Sequence, residues 1–171
     1  MKYGELNLGQ IEAIVNKLGG MDGVKKLLSG VMIVQNIKHI IDLAADPFMP
    51  EGWKVEEHQK GGQWEWGSTK VKLHLSDGQK DGRYIVGNKL REELKSQPVI
   101  NANVLDYLLA HPELIPEEWK GKAVFFWGTI FRNADGSLCV RYLYWNDGRW
   151  NWRYRWLDVD WYGGPAAVCA E

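Results

Sequence analysis

Three patterns of apolar and polar positions follow one another along the chain, and each predicts a different kind of element. Up to about residue 50 the apolar positions recur at helical spacing. Ile11, Ile14, Val15 and Leu18 share one face before Gly19-Gly20, and Val24, Leu27 and Leu28 share another before Ser29-Gly30. Asp22 is placed to cap the second of these helices. From Val31 the pattern admits two readings: "VMIV" as a buried strand, or Ile33, Ile37, Ile40, Ile41 and Ala44 as one helical face. "DPFMPEG" then reads as a connection.

From about residue 53 the period changes to two. Trp53 and Val55 alternate with Lys54 and Glu56, and Trp64 and Trp66 follow the turn-forming "HQKGGQ". In "KVKLHL", Val71, Leu73 and Leu75 alternate with Lys70, Lys72 and His74, the pattern of a half-buried strand. "RYIVG" is a further short strand. Two helices interrupt: "KLREELKS", with Asn88 as its cap, and "VLDYLLA", with Asn101 or Asn103 as its cap. "ELIPEEW" reads as a tight turn that docks Leu114, Ile115 and Trp119 as apolar plugs.

The last zone is a three-strand meander. "KAVFFWGTIFR" meets "SLCVRYLYW" across "NADG", and that strand meets "RWNWRYRWLDV" across "NDG". Such turns need positive φ, which glycine accepts, so Asp-Gly between alternating apolar runs is a strong hairpin signal. Gly163-Gly164-Pro165 opens a tail to which no element is assigned. The whole predicts an α+β protein: a twisted antiparallel sheet of about five to seven strands, helices packed on one face, and an N-terminal helical hairpin. The organisation is an N-terminal helical segment over 1–50 and an α+β domain over 51–171.

In an extended strand, successive side chains take opposite faces. Trp150, Trp152, Tyr154 and Trp156 therefore share one face, and Arg149, Asn151, Arg153, Arg155 and Leu157 the other. The preceding strand places Val140, Tyr142 and Tyr144 on one side and Cys139, Arg141, Leu143 and Trp145 on the other. One purpose of such a ring face is core, covered by a helix. The other is contact: rings and arginines dominate interface energies, and aromatic faces stack on nucleobases. The binding residues expected on this sheet are Trp145, Trp150, Trp152, Tyr154 and Trp156, with Arg141, Arg149, Arg153 and Arg155.

Composition sharpens this in one respect. Of 21 aromatic side chains in 171 residues, thirteen lie between Phe125 and Tyr162, so the bias belongs to the meander. A net charge of −1 gives no overall pull toward nucleic acid or an anionic membrane. Residues 120–156 alone carry a local +5, which the acids of the wider 112–171 window reduce to −1. Cys139 and Cys169 make neither a disulfide framework nor a zinc ligand set, and reduced thiols are expected. No stretch is long and apolar enough for a membrane span, and a cytoplasmic protein is expected.

Candidate chemistry is sparse. His39, His58, His74 and His111 lack neighbours at metal-ligand spacing, so no metal and no cofactor is expected. "LGGMDGVKKLLSG" lacks the order of a phosphate loop; it resembles helix-hairpin-helix modules only in "GG" and "DG", and an αα-hairpin is the reading adopted. Glu65 between Trp64 and Trp66, and Asp158 and Asp160 beside Trp156 and Trp161, are the acids that could serve a glycan-binding or glycoside-hydrolase-like site. No nucleophile arrangement is present to argue, and a catalytic role is not the expectation.

The block "NANVLDYLLAHPELIPEEWKGKAVFFWGTIFRNADGSLCVRYLYWNDGRW" resembles a segment of small uncharacterised proteins of reduced-genome, candidate-phylum bacteria, with "LIPEEWKGK" and "FFWGTI" its distinctive parts. The resemblance covers roughly the C-terminal 70 residues. It implies a bacterial cytoplasmic setting and brings no activity or site residues. The function expected from the residues is non-catalytic binding of a macromolecular partner, a protein before single-stranded nucleic acid, through the aromatic and arginine side chains of the 125–162 sheet.

Overall fold

Asn7 opens the first helix with a reciprocal cap. Its side chain accepts from the Gln10 amide at 2.9 Å while its own amide donates to Gln10 Oε1 at 3.0 Å. Helix α1 runs Leu8–Lys17 and α2 runs Gly20–Leu28, joined through Gly19 in the left-handed region. The second helix thus starts two residues before Asp22, which lies in its first turn and pairs with Lys26 at 2.7 Å instead of capping. Close approach explains Gly23: a Cβ there would fall 1.5 Å from the Leu18 carbonyl oxygen. The structure, a computed structural model, describes residues 6–33, 37–162 and 165–170, the last as backbone alone.

Contacts divide the chain into two units, Met1–Lys38 and His39–Glu171. Residues 39–50, read above with the helical segment, belong to the second. Neither reading of the stretch after Val31 holds. Val31 and Ile33 are exposed and without regular structure, Val34 lies outside the described residues, and Ile40–Asp42 forms a short strand, β1.

The second unit is built on a seven-stranded sheet. Its strands are β2 (Lys54–His58), β4 (Val71–His74), β6 (Ala123–Phe125), β7 (Thr129–Arg132), β8 (Leu138–Asn146), β9 (Arg149–Trp156) and β11 (Pro165–Ala170). β6 and β7 are two halves of the expected "AVFFWGTIFR" strand, and both pair antiparallel with β8. On their far side β2 pairs with β7, and β11 lies parallel to β6 and antiparallel to β4. The unassigned tail is therefore a strand inside the sheet. Two smaller antiparallel sheets pair β1 with β3 (Gln63–Glu65), and β5 (Tyr84–Val86) with β10 (Asp160–Tyr162).

Helix α3 spans Gly87–Leu94, so Asn88 is its second residue and not its cap. Helix α4, Ala102–Ala110, is capped by Asn101, whose side chain accepts from the Asn103 amide. Alternation in β6–β8 sorts the core by face. Val124, Phe126 and Leu143 meet Val104, Leu105 and Leu108 of α4, with Ile115 and Trp119 plugged in beside them. Phe125, Ile130 and Val140 meet Leu90 and Leu94 of α3, closed by Leu157 and Trp161. Helix α4 supplies the expected layer on the ring side, and α3 joins the opposite side.

Candidate functional site: the β8–β9 ribbon and its outer edge

The "NDG" turn forms as expected. Asp147 and Gly148 have φ of 51° and 75°, the left-handed pair whose twist matches a two-residue hairpin. Eight consecutive residue pairs then join β8 to β9 without a shift, from Asn146↔Arg149 to Cys139↔Trp156. Opposed residues share a face. Trp150, Trp152, Tyr154 and Trp156 accordingly lie with Trp145, Leu143, Arg141 and Cys139. Arg149, Asn151, Arg153 and Arg155 lie with Asn146, Tyr144, Tyr142 and Val140.

On the ring face the aromatics contact one another edge to face. Trp145 and Trp150 have centroids 5.3 Å apart, and Trp53 lies 6.4 Å from Trp152 and 4.9 Å from Tyr154. Tyr154 in turn is 5.5 Å from Trp156. Burial falls along this row. Trp150 and Trp152 are half-buried against the α4 core, whereas Tyr154 and Trp156 are 36% and 41% exposed. Trp156 is the one exposed tryptophan among ten. Along β9 the ring face thus passes from core at Trp150 and Trp152 to exposed surface at Tyr154 and Trp156.

Arg141 departs from expectation. Opposed to Tyr154 on the ring face, it is 1% exposed and cannot reach a partner. Its guanidinium makes a bidentate pair with Asp106 of α4, Nη2 donating to Oδ1 at 2.7 Å and Nη1 to Oδ2 at 3.1 Å. The same group lies 4.2 Å from the Trp152 ring centroid. Burial of a charge requires such pairing, so Arg141 is an internal brace that fixes α4 against the ribbon.

The other three arginines of the set share the opposite face of β9, Arg155 half-buried there. Arg149 and Arg153 are exposed; Arg153 lies 5.4 Å from the Tyr144 ring, and Arg155 lies 5.6 Å from both Trp161 and Tyr162 while donating to the Asp160 carbonyl. Among the described residues none of the three pairs with a carboxylate. The four remaining arginines of the chain all do: Arg83 with Asp81, Arg91 with Glu57, Arg132 with Glu56 and Arg141 with Asp106. Among the described residues, the arginines without a carboxylate are thus confined to β9.

At the hairpin tip, Trp145 and Trp150 line a pocket of about 490 Å³ with Leu109, Pro112, Glu117, Lys120 and Arg149. Lys120 sits 4.0 Å over the Trp145 ring and pairs with Glu117 at 2.7 Å. The opposite side of β9 faces no strand among the described residues.

The other candidate residues do not assemble. Trp66 and Trp161, which would floor a glycan subsite, are buried in separate clusters, and Glu65 lies in the β1–β3 sheet while Asp158 and Asp160 lie beyond β9. Sequence spacing missed one cluster: His39 Nδ1 is 3.0 Å from the Tyr107 hydroxyl, and the His39 and His111 rings are 5.7 Å apart. No three His, Cys, Asp or Glu side chains among the described residues form a metal-binding group. His58 is bonded through Nδ1 to Thr129, and burial lowers its pKa. No described helix is long and apolar enough to cross a membrane. No family model matches this chain, and neither does any curated protein or solved structure compared with it.

Proposed function

We propose that the chain is a non-catalytic binding protein that takes a protein partner on the β9 side of its sheet. The observation that carries this reading is the segregation of the arginines: among the described residues, three without carboxylates lie on one strand, against four paired arginines elsewhere. Arg, Trp and Tyr are the side chains on which interface energies concentrate. Here Arg153 and Arg155 precede and follow exposed Tyr154, with exposed Trp156 next, on a strand joined to β8 by eight cross-strand pairs. A bacterial cytoplasm is the setting that the C-terminal resemblance implies.

Single-stranded nucleic acid is the second reading, favoured by the same arginines beside rings. It ranks lower because stacking needs free ring faces, and only Tyr154 and Trp156 of the β9 row are exposed. A displayed library of random linear peptides and an oligothymidylate separate the two. Peptides should be selected, and the Arg149→Glu/Arg153→Glu variant, whose altered side chains are both exposed, should bind them at least tenfold more weakly. Failure to select any peptide, or binders indifferent to the variant, overturns the proposal. Oligothymidylate binding that falls steeply with salt moves the assignment to nucleic acid.

A further inference from the structure

We infer that the partner presents an extended segment with alternating acidic and apolar residues, which adds to the sheet as a further strand along the outer edge of β9. The inference rests on the protein-binding reading above and goes beyond it by naming the occupant.

Backbone parity supplies the first argument. Across a two-residue turn, Asn146 and Arg149 form the closing pair, so Arg149, Asn151, Arg153 and Arg155 direct their amides and carbonyls at β8. The Leu157 amide continues this series by donating to Leu138. Trp150, Trp152, Tyr154 and Trp156 therefore direct theirs outward. The Trp156 carbonyl is taken by Trp161 Nε1 at 3.1 Å, which closes that end. No backbone hydrogen bond among the described residues meets the outward groups of Trp150, Trp152 or Tyr154. Three residues in a row thus offer a ladder to an incoming strand.

The second argument is how this edge is defended. Exposed edges are usually blunted by brevity, proline, bulges or charge. β9 has eight residues, no proline and no register shift, so charge alone remains. Antiparallel pairing of two β9 strands centred on Trp152 would set Arg149 of one copy against Arg155 of the other, and like charges directly opposed are destabilising. A second copy of the chain is disfavoured by its own arginines.

An acidic strand meets the reverse situation. Side chains of an added strand alternate between the two faces. Every second one would lie beside Arg149, Arg153 and Arg155 and favours carboxylate. Those between would lie beside Trp150, Trp152 and Tyr154, with exposed Phe48 6.2 Å from Trp152 on the same face, and favour apolar groups. About seven residues, roughly 20 Å of strand, span Arg149 to Arg155. Main-chain bonds would give the affinity and the alternating side chains the selectivity, as in other cases of strand addition.

The probe is the capped peptide Glu-Val-Glu-Val-Glu-Val-Glu with a fluorophore, tested on the full chain by anisotropy and amide exchange. It should bind at least tenfold more tightly than its Lys-Val counterpart and lose that advantage in Arg149→Glu/Arg153→Glu. Exchange should slow at the amides of Trp150, Trp152 and Tyr154. N-methylation discriminates a ladder from mere side-chain contact. In an antiparallel addition the valine amides point at β9 and N-methyl-valine abolishes binding, whereas in a parallel addition N-methyl-glutamate does so; one series should fail and the other survive.

Survival of both series overturns strand addition and leaves the protein-binding reading standing. No binding of the acidic peptide, while library-selected peptides of other composition bind, overturns this occupant alone. Absence of binding by peptides of every kind removes both. A concentration-dependent dimer that protects the same three amides would replace the partner with a second copy, and likewise overturns the inference.

Discussion

Asp106→Ala is the sharpest test of how the ribbon is held. The Arg141 guanidinium is 1% exposed, and its carboxylate partner retains 27% exposure. Deleting the carboxylate leaves the cation with the Phe48 carbonyl at 3.4 Å and the Trp152 ring; its Nε is already without a partner. Breaking a buried pair from one side costs about 3–5 kcal/mol. Because Asp106 faces partly outward, water can enter the vacated space, which puts the cost near the lower end, about 3 kcal/mol. With a urea slope of about 2 kcal/mol/M for a small domain, the midpoint should fall by about 1.5 M. Removing both charges in Asp106→Leu/Arg141→Met should restore the midpoint to within about 0.5 M of the parent, since the orphaned cation, not the lost pair, carries most of the penalty. Urea titration followed by tryptophan emission reads both numbers, with Trp152 against the guanidinium as a local reporter. A midpoint unchanged in the single variant, or a double variant no better than the single, refutes the brace.

Four further outcomes follow from particular side chains. Burial pushes the Cys139 thiol up to about 12, so alkylation mapped by mass spectrometry should mark Cys139 only after unfolding. By linkage this thiol's contribution to stability is full below its unfolded value near 9 and is lost as pH rises from there toward 12. Burial lowers the His58 pKa, so its contribution is full above the unfolded value of 6.5 and is lost as pH falls below it; a ring titration by NMR that gives an ordinary midpoint would contradict this. Trp156→Phe should remove the largest acrylamide-quenchable component of the emission, and unchanged quenching would mean that another indole is the wet one. Gly23→Ala should open the α1–α2 hairpin, seen as protease cleavage within residues 8–28 at doses that spare the parent.

What was legible in the sequence was whatever depended on neighbours along the chain. The meander could be read because "NDG" dictates a turn and the turn dictates register, so the division of β9 into ring and arginine faces followed from parity. The α4 cap, the Leu114–Trp119 plug and the short strands of residues 54–86 followed likewise from local pattern. Three things were not legible because they depend on what lies opposite. Arg141 alternates like any polar position, and only Asp106, 35 residues away, makes it an interior group. Ile40–Asp42 fits a helix by spacing, yet becomes a strand because Gln63–Glu65 is there to pair with it. The tail has too few residues to show a period, and its strand character comes from a slot between β6 and β4.

The same distinction bears on why β9 looks ambiguous by composition. A strand inside a sheet has both edges satisfied, and its side chains need only fill space. Among the described residues β9 has one satisfied edge, and it packs Trp150 and Trp152 inward while its outer amides stay unpaired. Hydrophobic rings alone on such an edge would invite indiscriminate pairing. On the reading proposed above, arginines that lack carboxylates would resist self-pairing and at the same time select an acidic strand, because one Coulombic sign repels the copy and attracts the complement. Pairing those arginines internally, as the other four are paired, would remove both effects. The absence of carboxylate partners for Arg149, Arg153 and Arg155 among the described residues is therefore the feature to which the chemistry of the proposed partner would answer.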